Sequence, residues 1–468
     1  MLKIDKTSNI PVYIQIYEEL KHQIITGEKK AGERLSATRS LSEDYHISRN
    51  TVLAAYQQLE SEGFIYSRIG SGYYVEEIPE ISERKKAEGT LRSQKEDDVK
   101  YLYDFRYGSI EPNVYRTRGF RKALKEAMNE IEDYDALRDP DSKGLFELRE
   151  AIADHLREVR GIEADADQIL VTGGHHYSLK LLCELFPEGY ESLALEDPGH
   201  RDTREIFMKA GYCILPIPLD ENGMKVDRVM GYQKILAYVT PSHQFPLGAI
   251  LPVGRRFHLL QWAYNSDSFL IEDDYDSELR FKERPVPSLY SLDFRGRVIY
   301  LGSFSKSLSP DLRVSYIVFP RNFDLSILED KALFSSGTSL LIQLTLKEYL
   351  QSSEYRKRIS RIRKILRKKH NAIIDFLDAH YGERIKIYGI GGGTHFVLKL
   401  DTKRSSKEIL DIFHQEGVNI HPIDEYCFNR NEDGKGMFMI GYSGIELSSL
   451  DDALLHLKNG IDRIIETS

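Results

Sequence analysis

Residues 298–318 read VIYLGSFSKSLSPDLRVSYIV and place one lysine, Lys306, in a small serine-rich loop between two apolar, strand-like runs. Upstream, SFLIEDDYDSE carries Asp273 and Tyr275. Residues two apart in an extended strand point to the same side, so this carboxylate and phenol face one site together. A carboxylate, a phenol and a lysine converging at strand ends suit pyridoxal 5'-phosphate. The lysine forms a Schiff base, the aspartate keeps the pyridine nitrogen protonated so that the ring withdraws electrons, and the tyrosine hydrogen-bonds the ring oxygen. A phosphate needs backbone N–H groups at a helix N-terminus together with hydroxyls and a cation. VTGGHHYSLKLL supplies a glycine turn entering a helix at Gly174-His175-His176, and Ser303, Ser305 and Arg313 complete the cradle. Taken singly, Lys306 is a solvated loop residue, Asp273 a helix cap, Tyr275 a core edge and TGG an ordinary turn. The order carries the reading: strand-TGG-helix, strand-EDPGH, TPSHQFPLG, strand-EDDY, strand-SFSK-x6-Arg.

The elements that must position these groups are legible as an alternation. Helical patterns such as LFELREAIADHLREVRG alternate with short runs, QILVT, ESLALE, ILAYVT, SFLIED and VIYLGS, which predicts a mostly parallel sheet covered by helices. From about residue 350 a long basic helix leads into KIYGIGGGTHFVLKL and MFMIGYS, predicting a smaller α+β subdomain. Residues 79–100, PEISERKKAEGTLRSQKEDDVK, hold few apolar residues and no period, as a solvated, flexible linker does. The expected division is a DNA-binding domain at 7–78, a linker at 79–105 and a large domain at 106–468.

The N-terminal module reads as three helices and a hairpin, a winged helix-turn-helix. In VYIQIYEELKHQIIT, Tyr13, Ile16, Tyr17, Leu20 and Ile24 fall on one helix face and Gly27 ends it. A second helix is expected to start from Ser36 as N-cap. A third, capped by Ser48, runs from Arg49 to Glu62 with Val52, Ala55, Tyr56 and Leu59 inward. FIYSRI and YYVEEI around Gly70-Ser71-Gly72 make the wing. A recognition helix presents its first turn to the major groove, here Ser48-Arg49-Asn50-Thr51, while Arg39 and Arg68 with Gly70 at the wing suit phosphates. The alternative is a helical interaction module with solvated arginines, since residues 1–78 hold nine Lys/Arg against eleven Asp/Glu.

Composition limits what else the chain does. At 468 residues with 41% hydrophobic content, it is long enough for about three domains, and no apolar run approaches the ~18 residues of a membrane span. Cys183, Cys213 and Cys427 are far apart and lack ligand spacing, so neither a disulfide framework nor a metal site is expected, and the setting reads as a reducing cytoplasm without a signal peptide. With a net charge of −9, nucleic-acid binding requires a local surface.

GERLSATRSLSEDYHISRNTVLAAYQQLESEGFIYSRIGSGYYV resembles the GntR-type winged helix, with Ala37-Thr38 departing from its usual Pro or Ser. Residues 137–320 resemble the fold type I aminotransferase domain. LRDPDSKGLFELREAIADHLREVRG, VTPSHQFPLGAILPVGRR, IEDDYDSELRF and YLGSFSKSLSPDLRVSYIVFP resemble its MocR/GabR subfamily, which joins such a reader to an aminotransferase-like domain. The resemblance implies a transcriptional regulator that binds operator DNA as a homodimer and senses a small effector. It also implies that Lys306 is the Schiff-base lysine, Asp273 and Tyr275 hold the ring nitrogen and oxygen, Ser303 and Arg313 hold phosphate, and His200 of EDPGH occupies the ring-stacking position. Arg201 beside it reaches cofactor or effector, or forms a surface ion pair. Where relatives carry an arginine for the substrate carboxylate, this chain has Met439, which offers no charge and no fork of donors. An active aminotransferase with a DNA-binding appendage is the alternative function. The basic run EYRKRISRIRKILRKKH, 354–370, either embraces flanking DNA or forms a solvated face.

Overall fold

The computed structural model describes residues 4–5, 8, 10–77, 101–108, 117–132, 141–186, 188–280, 286–329, 336–429 and 434–466. Backbone packing divides the chain into two units, Met1–Asp98 and Val99–Ser468. The linker expectation for 79–100 lies outside the described residues.

In the first unit, α1 (Val12–Ile25) buries Ile16, Tyr17, Leu20 and Ile24, whereas Tyr13, on the same stripe but in the end turn, is left exposed. α2 (Thr38–Tyr45) starts later than the sequence suggests: Ala37 is its N-cap, and the Ser36 carbonyl accepts instead from the Tyr56 hydroxyl at 2.9 Å. α3 (Arg49–Ser61) is capped by Ser48, whose Oγ accepts from Thr51 N at 3.1 Å, and buries Val52, Ala55, Tyr56 and Leu59. The wing is β1 (Ile65–Arg68) paired antiparallel with β2 (Gly72–Val75), Arg68 opposite Gly72, and its turn passes through Gly70 at φ +75°.

The larger unit begins with β3 (Tyr103–Asp104), so residues 101–105, expected to be linker, belong to it. Its main sheet has eight strands: β4 (Ile169–Thr172), β5 (Ser192–Asp197), β6 (Cys213–Asp220), β7 (Gly223–Met224), β8 (Leu236–Val239), β9 (Phe269–Asp273), β10 (Val298–Ser303) and β11 (Ser315–Val318). Their order is β4-β11-β10-β9-β8-β5-β6-β7; β10, β9, β8, β5 and β6 pair in parallel, while β11 pairs antiparallel with both β10 and β4, and β7 pairs antiparallel with β6. β4, β8 and β11 are buried along their whole length, as strands covered on both faces must be. The covering helices are α4 (Arg118–Glu132), α5 (Phe146–Arg160), α6 (His175–Leu185), α7 (Arg201–Lys209), α8 (Val253–Asn265), α9 (Leu289–Leu292) and α10 (Leu340–Gln351).

After α11 (Ser353–Tyr381) comes the smaller α+β part, with α12 (Ser406–Gln415) and α13 (Leu450–Ile465) packed on a sheet of order β12 (Ile385–Tyr388), β13 (His395–Leu400), β16 (Met437–Gly441) and β15 (His421–Pro422). Between α12 and β15, β14 (Val418–Asn419) pairs in parallel with β3.

Candidate functional site

β9 ends on Asp273 and β10 on Ser303, and parallel pairing of Leu301 with Asp273 sets these ends side by side. Asp273 is buried. Its Oδ2 accepts from the Tyr238 hydroxyl at the end of β8 and lies 3.6 Å from His175 Nε2. Burial raises its carboxyl above the usual range, with His175 and then Tyr238 opposing the rise. Tyr275 follows the strand, its hydroxyl 3.1 Å from His243 Nδ1, which lies 2.8 Å from Asp276 Oδ2. Burial pushes that phenol well up, so it is neutral.

Lys306 Nζ stands 3.8 Å from the centre of the Tyr107 ring. Burial pulls its ammonium down to about 8, against the opposing pull of Asp276. The Lys306 loop is tied from outside: Arg358 donates from Nε to the Ser307 carbonyl at 2.9 Å and from Nη2 to the Leu308 carbonyl at 3.2 Å. Next to it, Ser303 Oγ accepts from Ser305 N at 3.1 Å and from Ser315 Oγ at 3.2 Å, and donates to Ser305 Oγ at 3.0 Å.

The first turn of α6 leaves its leading N–H groups without intrahelical acceptors. Gly174 precedes it at φ +101°, a region that disfavours side chains, and a Cβ there would lie 3.7 Å from Cα and Cδ of Arg313. Arg313 therefore packs across the helix N-terminus. His200 caps α7, its Nδ1 accepting from Thr203 N at 3.4 Å, with its ring 5.4 Å from His175 and 5.3 Å from Phe245. Burial and then His175 lower its pKa to about 3, leaving a neutral flat ring.

Two expected site residues point elsewhere. His176 faces outward and pairs with Asp202 at 2.8 Å. Arg201 takes the surface pair, with Glu205 at 2.9 Å and Glu425 at 3.5 Å. Consecutive helical residues are about 100° apart, so each neighbour of an inward histidine turns away. Met439 is buried opposite Val397 in a wall with Phe245, Ile423 and Cys427. One pair along the same sheet face, His395 donates from Nε2 to the Pro246 carbonyl at 2.9 Å.

Tyr107, Tyr238, His243, Asp276 and His395 were not singled out by sequence reasoning. TPSHQFPLG contains His243 and was the available signal for one of them. Together the donor set fits pyridoxal phosphate: a desolvated lysine, a buried carboxylate for a cationic ring nitrogen, a neutral phenol, and hydroxyls with Arg313 beside a helix N-terminus. Among the described residues, no cluster of His, Cys, Asp and Glu could hold a metal ion.

In the first unit, Arg49 and Asn50 are exposed at the start of α3. The Arg49 Nε lies 3.4 Å from Thr38 Oγ1, and Thr51 Oγ1 is engaged with Ser48 Oγ at 2.8 Å. Arg39 makes an exposed pair with Glu43 at 3.1 Å, which a phosphate can replace at little cost. Arg68 stacks over Tyr66 and Tyr74 at 5.3 and 4.8 Å, which holds its guanidinium extended along the wing.

The basic helix 354–370 is neither wholly a DNA surface nor wholly solvated. Besides Arg358, Arg363 donates to the Glu278 carbonyl and buried Lys369 to the Ser443 carbonyl at 3.1 Å. His370 is buried as well.

Comparison with known proteins gives two family matches: residues 12–75 to bacterial regulatory proteins of the gntR family, and residues 112–435 to aminotransferase class I and II. The chain is similar to YdeL, an HTH-type transcriptional regulator of Bacillus subtilis, at 34% identity over 97% of this chain and 98% of that one. It is similar to PdxR, an HTH-type pyridoxine biosynthesis transcriptional regulator of Corynebacterium glutamicum, at 30% identity over 91% of each. Among solved structures, Pyrococcus horikoshii kynurenine aminotransferase superposes with a TM-score of 0.69 at 26% identity, covering 77% of this chain and 90% of that one.

Proposed function

The chain belongs to the gntR family of bacterial regulatory proteins, in the MocR/GabR subfamily that adds an aminotransferase class I and II domain, and from that premise we propose that it works as a homodimer whose operator affinity reports occupancy of the Lys306 site. It is a transcriptional regulator with a DNA-binding winged helix and a pyridoxal phosphate-binding domain. When bound, the cofactor supplies an electrophilic carbonyl and an electron-withdrawing ring. Asp273 would meet the ring nitrogen and Tyr275 the ring oxygen, while Ser303, Ser305, Arg313 and the α6 N-terminus around Gly174 and His175 would hold the phosphate. His200 would lie against the ring face.

The effector in this reading is pyridoxal phosphate itself, or a small amine, and not an amino acid gripped by its carboxylate. The observation that carries it is Met439, buried in an apolar wall where a carboxylate would need a cation. Losing a charge-assisted bidentate pair costs about 2–5 kcal/mol, roughly thirtyfold to several-thousandfold in affinity. PdxR is named for control of pyridoxine biosynthesis, and control of vitamin B6 or amino-compound metabolism is the role proposed for this chain. Two readers on one dimer require a repeated or palindromic operator, contacted through Arg49 and Asn50 with Arg39 and Arg68 on phosphates.

Gel-shift titrations of cofactor-free and cofactor-loaded protein test this reading. The two forms should differ in operator affinity; identical affinities, with a shift produced by a micromolar amino acid, would remove it. The intact Lys306, Asp273 and Tyr275 set also favours a second reading, an aminotransferase carrying a DNA-binding appendage. Steady turnover of amino donors with keto acids distinguishes it from a sensor.

A further inference from the structure

We infer that His243 and Asp276 are positioning residues of the cofactor site, a buried pair that aims the hydroxyl proton of Tyr275 into the site and sets a carboxylate on the cavity that Lys306 also lines. This deepens the reading that pyridoxal phosphate binds at Lys306 and rests on it.

The pair is almost fully enclosed: His243 is 3% exposed and Asp276 4%. His243 Nδ1 lies 2.8 Å from Asp276 Oδ2 and 3.1 Å from the Tyr275 hydroxyl oxygen. A carboxylate only accepts, so Nδ1 carries a proton and donates to Asp276. The same proton is shared with the Tyr275 oxygen, which therefore accepts from the imidazole. The phenol's own proton is then left for the site, the direction needed to donate to an anionic ring oxygen.

The other imidazole nitrogen bears on the tautomer. Among the described residues, His243 Nε2 is buried without a hydrogen-bond partner, and a Cβ on Gly248 would stand 2.9 Å from it. With no protein acceptor at Nε2, the geometry favours the tautomer protonated at Nδ1, the nitrogen that faces Asp276. Tyr107, Tyr442, His395, Asp273 and Glu196 also face this group from other elements. The two tyrosines are neutral by burial. His395 is held neutral by burial, its Nε2 proton spent on the Pro246 carbonyl. Burial pushes Glu196 up to about 7, and Asp273 is committed to Tyr238 and His175. Asp276 remains the charge that opposes the desolvation of Lys306. Gly393 leaves room for the pair, since a Cβ there would stand 2.6 Å from His243 Cε1 and 2.7 Å from Asp276 Oδ2.

The test is an absorbance titration against pH of full-length protein loaded with pyridoxal phosphate, which reads the proton on the Lys306 nitrogen. Asp276→Asn should lower the midpoint by about one pH unit or more. Asp276→Glu, which keeps the charge, should restore most of it. His243→Leu removes the donor that orients the Asp276 carboxylate and should shift the midpoint in the same direction as Asp276→Asn, and it decides the matter if Asp276→Asn does not accumulate as folded protein. Unchanged midpoints in variants that still yield a borohydride-fixed adduct on Lys306 overturn the inference. A wild-type protein that forms no adduct defeats the cofactor reading, and this inference with it.

Discussion

On the proposed role of Lys306, its lowered proton affinity should set how fast cofactor-free protein takes up an aldehyde. Only the neutral amine attacks a carbonyl, and burial brings this lysine from the ordinary 10.5 to about 8. At about pH 7.5 an amine of that kind is roughly one-quarter neutral, against about 0.1% for an ordinary lysine, an advantage of roughly two hundredfold in reactive form. Stopped-flow absorbance of cofactor-free protein mixed with pyridoxal phosphate should show an uptake rate that rises with pH and levels off just above pH 8. Lys306→Met should abolish the slow covalent phase and leave any fast encounter phase. A rate that goes on climbing tenfold per pH unit beyond about 9.5 would mean that the lysine is not desolvated as described. The same shift has a stability counterpart. Between about 8 and 10.5 the unfolded chain binds more protons at this residue than the folded one, so the cofactor-free protein should gain stability as pH rises through that window, with the full penalty present below it.

Three further outcomes follow from the geometry. Met439→Ala removes a buried side chain from the wall around Phe245 and should cost about 2–5 kcal/mol in denaturant unfolding of the larger unit. Arg358→Ala leaves the Ser307 and Leu308 carbonyls without their donor and should cost about 1–3 kcal/mol while slowing cofactor uptake, both measurable on one preparation. Arg49→Ala should weaken operator binding by about 1–3 kcal/mol if it reads a base, whereas Arg68→Ala should lower affinity on all sequences and flatten the salt dependence in fluorescence anisotropy.

The parts of this molecule that were legible in the sequence are those governed by local period or by order along the chain. The α3 stripe of Val52, Ala55, Tyr56 and Leu59, the Ser48 cap and the five apolar strand runs are local consequences of backbone geometry. Asp273 and Tyr275 were readable because they flank a strand end at a spacing of two. What stayed hidden depends on tertiary convergence. Tyr107 reaches Lys306 from the very start of the segment read as the large domain, and His395 arrives from the small sheet, so no spacing in the chain announces either. The start of α2 was misplaced because Ser36 spends its carbonyl on Tyr56 of another helix, a tertiary bond that capping preferences do not register. His176 was misjudged for a simpler reason: proximity in sequence was taken for proximity in space, and a helix rotates the next residue out of reach, whereas Arg201 takes the surface ion pair that the sequence left open.

The stretch from Tyr103 to Tyr107 joins two things that sequence distance keeps apart. β3 pairs with β14, Phe105 N donates to the Asn419 carbonyl at 2.8 Å, and the Phe105 carbonyl accepts from Gly441 N at 2.7 Å. Two residues on, the Tyr107 ring covers Lys306 Nζ. Here the first strand of the larger unit is moored, and two residues further on the chain reaches Lys306. A molecule that claims the face of Lys306 competes with Tyr107 for it.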